Sequence, residues 1–200
     1  MHNVATASHL DWPGQGQTDQ AETDLDLVLV AQADPTAFAA LDDRYRDRVY
    51  RYLLMRTDTP DDADDLLQAV FLKALDALAQ YRPARGPFAA WLFGIARNTA
   101  STYRSRRSPN VAWDLVPEIL LPVDEHQPDT RLLRQEDLGR LRLLVGRLDA
   151  SKRELLILRF VANLTIADIA TIIGKSEAAT KKQLTRTLHT LKEHYNDPTH

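Results

Sequence analysis

The sequence predicts an all-α chain of two small helical domains joined by a flexible linker. Three observations carry this reading. Apolar residues recur at three- and four-residue steps through most of the 200 residues, the period of a helix with one buried face. No segment alternates with period two over a useful length, and 7 glycines supply little turn material for hairpins. A stretch holding four prolines, Pro109 to Pro128, interrupts the helical pattern, as a linker does. The expected boundaries are a disordered tail at 1–23, a first domain at 24–108, an acidic linker at 109–129 and a second domain at 130–197.

Met1 to Thr23 carries Pro13, Gly14 and Gly16 without an apolar period, the composition of a tail. Leu25, Val28 and Leu29 then begin a helix that ends near Asp34-Pro35, because the residue before proline disfavours the α region. Phe38, Leu41, Tyr45, Val49, Tyr52 and Leu53 form the next apolar stripe. Thr59-Pro60-Asp61-Asp62 supplies a cap, a proline at the first helical position and acids in the first turn. That helix continues through Leu66, Leu67, Val70, Phe71, Ala74, Leu75 and Leu78. Tyr81 to Pro87 contains two prolines and Gly86 and reads as a loop. Phe88 to Arg107 is helical again and increasingly basic, until Ser108-Pro109 stops it. Thr130 to Leu148 and Ser151 to Asn163 are further amphipathic helices.

The most specific local pattern lies near the end. Thr165 and Asp168 have capping-box spacing, Ile166, Ile169, Ala170 and Ile173 share one face, and Gly174 suits a left-handed helix end. Ser176 caps a long helix to about Tyr195. Short helix, tight turn with glycine, second helix: this is a helix-turn-helix pattern. Its second helix carries Lys175, Lys181, Lys182, Gln183, Thr185 and Arg186 near its N-terminal half, where lysines can bind phosphate and Gln183 or Thr185 can reach base edges. A solvated basic face on an ordinary helix pair is the alternative from these residues alone.

Charge is distributed in blocks. Residues 1–70 hold 14 acids against 5 bases, whereas residues 71–113 hold 1 against 7. Residues 114–150 are acidic again and residues 151–200 basic, so two positive segments could meet a polyanion despite a net charge of −3. In the first of them Trp91 to Asn98 runs into Thr102, Tyr103, Arg104, Arg106 and Arg107. A basic aromatic surface of this kind suits single-stranded or melted DNA, with stacking worth ~1–3 kcal/mol per base. Trp91 itself, at helical spacing, is expected to be largely core.

These segments resemble a known family. Asp34-Pro35-Thr36-Ala37-Phe38, Ala63 to Ala74 and Phe88 to Asn98 look like region two of bacterial RNA polymerase sigma factors, and Ser151 to Lys192 looks like region four. The size resembles the extracytoplasmic-function (ECF) group. The resemblance implies three contacts. Asp64, Asp65, Leu66, Leu67 and Gln68 would dock the coiled coil of the polymerase beta-prime subunit. Arg82, Arg85, Phe88, Trp91, Arg97, Asn98, Arg104, Arg106 and Arg107 would recognise and open the promoter −10 element. Lys175, Ser176, Thr180, Lys181, Lys182, Gln183 and Arg186 would contact the −35 element. Leu155 to Phe160 is similar to the helix that meets the polymerase beta flap. An anti-sigma factor is a further expected partner. The family often has an acid where Thr102 stands and a small apolar residue where Thr180 stands, and it has proline more often than Asp149.

Geometry permits two contacts on one duplex. Elements about 20 base pairs apart are separated by roughly 70 Å, and the 21 residues from Ser108 to Pro128 reach at most about 70–75 Å when extended. The alternative is a sigma-like decoy that binds an anti-sigma factor without directing transcription; Arg104, Arg106, Arg107, Lys181 and Lys182 favour the first reading.

Other classes find little support. The chain has no cysteine, which removes disulfides and thiolate zinc sites. His189 and His194 are off the i,i+4 spacing of a helical zinc pair, and the Asp61, Asp62, Asp64, Asp65 cluster lacks the glycine and distal Glu of a calcium loop. No phosphate-binding glycine loop or serine elbow occurs, so neither enzyme activity, cofactor nor metal is expected. No signal peptide is visible, and no apolar run approaches the ~20 residues that span a bilayer; the expected location is the cytoplasm.

Overall fold

The computed structural model describes residues 17–105, 139–141 and 143–196. The linker expected at 109–129 lies outside these residues, as do Arg106 and Arg107. All regular elements among the described residues are helical. They form a first lobe from 17 to 105 and a second from 139 to 196.

Helix α1, Gln17–Ala33, begins within the stretch read as a tail at 1–23. Gln, Ala and Glu are good helix formers and need no apolar stripe to extend a helix backwards. It ends where Asp34 accepts a hydrogen bond from the Thr36 N–H (3.0 Å) ahead of Pro35. Helix α2, Ala39–Leu54, buries Leu41, Tyr45, Val49, Tyr52 and Leu53, the stripe that its spacing predicts. Asp24 ties α1 to α2: it accepts from Arg44 Nη1 at 2.7 Å and from the Tyr45 hydroxyl.

Helix α3, Pro60–Ala77, starts at Thr59, whose hydroxyl accepts from the Asp62 N–H (3.1 Å), with Pro60 at the first position. Helix α4, Phe88–Ser105, lies against α3 and buries Phe88, Leu92, Phe93, Ala96 and Ala100. Tyr52 meets Phe93 edge-on at 5.7 Å between centroids, and Phe38 meets Phe71 at 6.3 Å, geometries favoured by the ring quadrupole.

In the second lobe, helical residues 143–146 lead into α5, Ala150–Leu156, capped by Asp149 accepting from the Lys152 N–H at 2.9 Å. That bond holds the Asp149 carboxyl below its usual value. Asp is among the best N-caps, and Asp149 fills that role here. A π-helical turn, Ile157–Val161, continues the chain to Asn163, which takes a positive φ of 50°; asparagine tolerates that conformation. Helix α6, Ile166–Ile173, has the complete capping box between Thr165 and Asp168, and Gly174 closes it in the left-handed region (φ 69°, ψ 38°). Helix α7, Glu177–Asn196, follows, with Ser176 Oγ accepting from the Ala179 N–H at 3.3 Å.

The lobes pack against one another. Arg48 of α2 donates from Nε and Nη2 to the Ala162 carbonyl (3.0 and 2.8 Å) and from Nη2 to Asn163 O (3.1 Å). Helix α6 lies on α4, and the π-helical turn lies on α2. The apolar residues of both lobes join in one contiguous core.

Candidate nucleic-acid and polymerase interface

The loop between α3 and α4 is held from below. Tyr81 hydroxyl donates to Gly86 O (2.9 Å), while Arg82 Nη1 donates to Ala79 O and Tyr81 O (2.7 and 2.9 Å). Gly86 adopts φ 136°, a conformation that side chains rarely enter. Arg82 and Arg85 are exposed on this loop, and Arg97 and Asn98 are exposed on α4, with Arg104 partly so. A groove of about 370 Å³ runs beside them, lined among others by Arg82, Arg85, Trp91, Asn98, Thr171 and Ile172. The last two belong to α6.

Two aromatic side chains of the predicted −10 set fall differently. Trp91 is half-buried: it packs on the core, 5.2 Å from the Tyr81 ring and 5.5 Å from Phe88, yet one side lines the groove. The ring is thus held mainly by the core, as its helical spacing predicts, and open on one side. Phe88 is 3 % exposed and meets Tyr45 and Tyr81 edge-on at 5.5 and 5.8 Å. Its ring is structural, because the first turn of α4 must seat on α2 and on the loop.

On α7 the basic residues sort by helical phase. Lys181, Lys182 and Arg186 are exposed, whereas Thr180 is fully buried and donates from Oγ1 to Ser176 O at 3.0 Å. The Thr180 side chain therefore faces the core of this lobe. Lys175 Nζ donates to Gln183 Oε1 (2.7 Å), and Gln183 Nε2 donates to Ser151 Oγ (3.2 Å), which orients the amide. Ser176 is exposed and serves as the cap.

On α3, Asp64, Asp65 and Gln68 are exposed, Leu66 is half-buried, and Leu67 is 4 % exposed within the core. Leu67 belongs to the α3 stripe that seats the helix, not to its outer face. Leu72, one turn beyond Gln68, is 63 % exposed; its phase off the buried stripe, at i+4 from Gln68, was the available signal for it. In the Leu155–Phe160 segment, Leu155 to Leu158 are buried and Phe160 is exposed.

Glu154 carried no signal in the sequence. It is buried between the lobes, where it accepts from the Tyr52 hydroxyl (3.0 Å), pairs with Arg56 and lies 3.9 Å from Arg97 Nε. Burial pushes the Tyr52 phenol up and the Arg56 guanidinium down, because each is costly to charge away from water. Among the described residues no group of three His, Asp or Glu side chains could hold a metal ion, and no helix is long and apolar enough to cross a membrane.

Comparison with known proteins places both lobes. The family model Sigma-70 region 2 matches residues 41–109, and Sigma-70, region 4 matches residues 138–191. The chain is similar to the ECF RNA polymerase sigma factor BldN of Streptomyces coelicolor, 32% identical over 170 residues, covering 84% of this chain and 64% of BldN. It is similar to the ECF RNA polymerase sigma factor SigD of Mycobacterium tuberculosis, 31% identical over 83% of this chain and 82% of SigD. RNA polymerase sigma factor CnrH of Cupriavidus metallidurans is 29% identical, over 82% of this chain and 90% of CnrH. The solved structure of CnrH in complex with the cytosolic domain of CnrY superposes with a TM-score of 0.61 at 26% identity, covering 85% of this chain and 95% of that one.

Proposed function

This chain belongs to the ECF RNA polymerase sigma factors, non-enzymatic initiation subunits that direct RNA polymerase to promoters through regions 2 and 4, and from that premise we propose how its own residues divide the work. The observation that carries the reading is the match of both region models, in order, to two helical lobes that each expose a cationic face.

Lys181, Lys182 and Arg186 bind phosphates flanking the −35 element, and the oriented Gln183 amide reads a base edge beside Lys175 and Ser176. Phosphate contacts set register and affinity, and base contacts choose the sequence. The −10 element is taken by the groove at Arg82, Arg85, Trp91 and Asn98, with Arg97, Arg104, Arg106 and Arg107 along the backbone. The open side of Trp91 offers one stacking face for an unstacked base, whose extrusion costs a few kcal/mol. Thr180 and Phe88 are left out of these sets because they are core.

The polymerase beta-prime coiled coil docks on the exposed α3 face of Asp64, Asp65 and Gln68, with Leu66 at its edge and Leu72 extending it; the exposed Phe160 meets the beta flap. An acidic rim around an apolar residue supports such a contact, since rim charges guide association and the apolar centre supplies burial. The proposed domain limits are 24–108 and 130–197, joined by 109–129. An anti-sigma factor is the proposed negative partner, supported by the likeness to CnrH, which was solved with the cytosolic domain of CnrY. The cytoplasm is the proposed place of action.

The test is reconstitution with core polymerase, followed by run-off transcription and sequencing of the promoters selected. Promoter-dependent transcripts sharing two motifs about 20 base pairs apart are expected. Core binding without such transcripts would overturn the proposal and favour a decoy.

A further inference from the structure

One cleft collects positive charge in a chain whose net charge is −3. It encloses about 640 Å³ where α4 faces α5 and the turn after α6, and Arg56, Arg97, Arg104 and Lys175 line it against a single acid, Glu154. On α4, Arg97, Ser101 and Arg104 fall at i, i+4 and i+7, so they share one face. The two arginines stand two turns apart, about 10 Å along the axis. Lys175 and Ser151 line the cleft from the second lobe.

The acid already present does not satisfy these groups. Glu154 pairs with Arg56 and lies 3.9 Å from Arg97 Nε. The Arg56 side chain is nonetheless only 10% exposed, and its Nε is buried without a hydrogen-bond partner. A buried donor left unmet is costly. The Arg56 guanidinium lies 5.3 Å from the Tyr52 ring centroid, which fixes its place. Burial first, and then the like charges of Arg104, Arg97 and Arg153, hold it below its ordinary pKa, against the opposing effect of Tyr52. Among the described residues no carboxylate pairs with Arg104. Lys175 gives one donor to Gln183 Oε1 and keeps two. An anion in the cleft would relieve this repulsion.

We propose that this cleft binds a small molecule carrying linked phosphates, with Arg97, Arg104 and Lys175 on the phosphate oxygens and Ser101 and Ser151 donating their hydroxyls. Four cations against one acid leave an excess of three positive charges. A single phosphate group brings at most about −2, so a di- or triphosphate matches the excess and a carboxylate or lone phosphate does not. A chain of phosphates also spans two arginines set two turns apart, and each guanidinium fork suits paired phosphate oxygens. The volume falls in the ~300–1,000 Å³ range of clefts that enclose small ligands. The site does not depend on the assignment of α4 to the −10 element. Its consequence does: a ligand on Arg97 and Arg104 competes with the −10 strand.

Isothermal titration of the full chain at fixed ionic strength provides the test, with inorganic tripolyphosphate, ATP and sulfate as probes. One-to-one binding of tripolyphosphate is expected, at least about tenfold tighter than sulfate. Arg104→Gln and Lys175→Gln, one in each lobe and neither buried, are each expected to weaken it by about tenfold, the loss of one charge-assisted hydrogen bond. Lys192→Gln, exposed near the end of α7, is expected to leave it unchanged. No gain from ATP assigns recognition to the phosphate chain alone, and tighter ATP assigns a nucleoside to the cleft as well; both outcomes support the site. Binding no tighter than sulfate, or unmoved by both cleft substitutions, overturns it. Loss on Lys181→Gln with Lys182→Gln instead places the anion on α7 and equally overturns it. Tripolyphosphate is also expected to displace a labelled single-stranded DNA of random sequence. Binding that depends on Arg104 and Lys175 without such displacement upholds the site and counts against the α4 assignment.

Discussion

Replacing Phe88 with alanine separates a structural ring from a DNA-contacting one. Phe88 is 3 % exposed and sits between Tyr45, Tyr81 and Trp91, with centroid distances of 5.5, 5.8 and 5.5 Å. Truncation removes the transfer free energy of the ring and leaves a cavity that α2 and α4 cannot collapse, a loss of ~3–5 kcal/mol for buried Phe→Ala changes. Part of that is the aromatic pairing, worth ~0.5–1.5 kcal/mol beyond area. In a lobe of 60–100 residues each kcal/mol moves Tm by about 4–8 °C, so Tm should fall by at least about 12 °C. Thermal melts by circular dichroism on the full chain measure this. Phe88→Leu, which keeps most of the volume, should recover much of the loss together with promoter opening. A Phe88→Ala protein with Tm within about 3 °C of wild type and selectively lost opening would refute the assignment to the core.

Lys181→Ala combined with Lys182→Ala should leave Tm unchanged, because both side chains are exposed. It should reduce the slope of log K against log salt for −35 duplex binding by up to about 1.8, at ~0.9 per phosphate; an unaltered slope removes their phosphate role. Gly174→Ala meets no neighbour within 4 Å but must hold φ 69°, so its cost is backbone alone, ~1–2 kcal/mol. Urea unfolding followed through the second lobe should show it, and an unchanged midpoint would contradict the left-handed cap. Asp149 has its carboxyl held below 3.8 by the Lys152 N–H. A depressed native pKa contributes stability that is present above the unfolded value and lost as pH falls through the native one. The stability gap between wild type and Asp149→Ala should therefore be constant near neutral pH and shrink once pH drops below about 3.8; a gap that widens on acidification would exclude the cap.

Local signals were legible because their physics is local. Thr59-Pro60, Thr165 with Asp168, and Gly174 each satisfy or end the backbone within four residues, so their geometry follows from the chain itself. The apolar stripes of α2 and α3 likewise match their buried faces. The start of α1 at Gln17 was hidden, since a helix built on propensity alone leaves no apolar period to read. Phe88 and Thr180 show a second limit. A side chain inside a motif that binds DNA can still point inward, and the motif as a string does not carry phase relative to the rest of the fold.

By itself the sequence determined most of the helices, their caps, their division into two lobes that each carry a basic segment, and the family to which they belong, because periodicity, capping and motif order are properties of neighbouring residues. Only the tertiary structure decided which faces those lobes show. Tyr52 reaches Glu154 across 102 positions and Arg48 reaches Ala162 across 114. An amphipathic period states that a face is buried and not against what, so no pattern along the chain could join a lone glutamate in α5 to Arg56, just past the end of α2, and to Arg97 of α4.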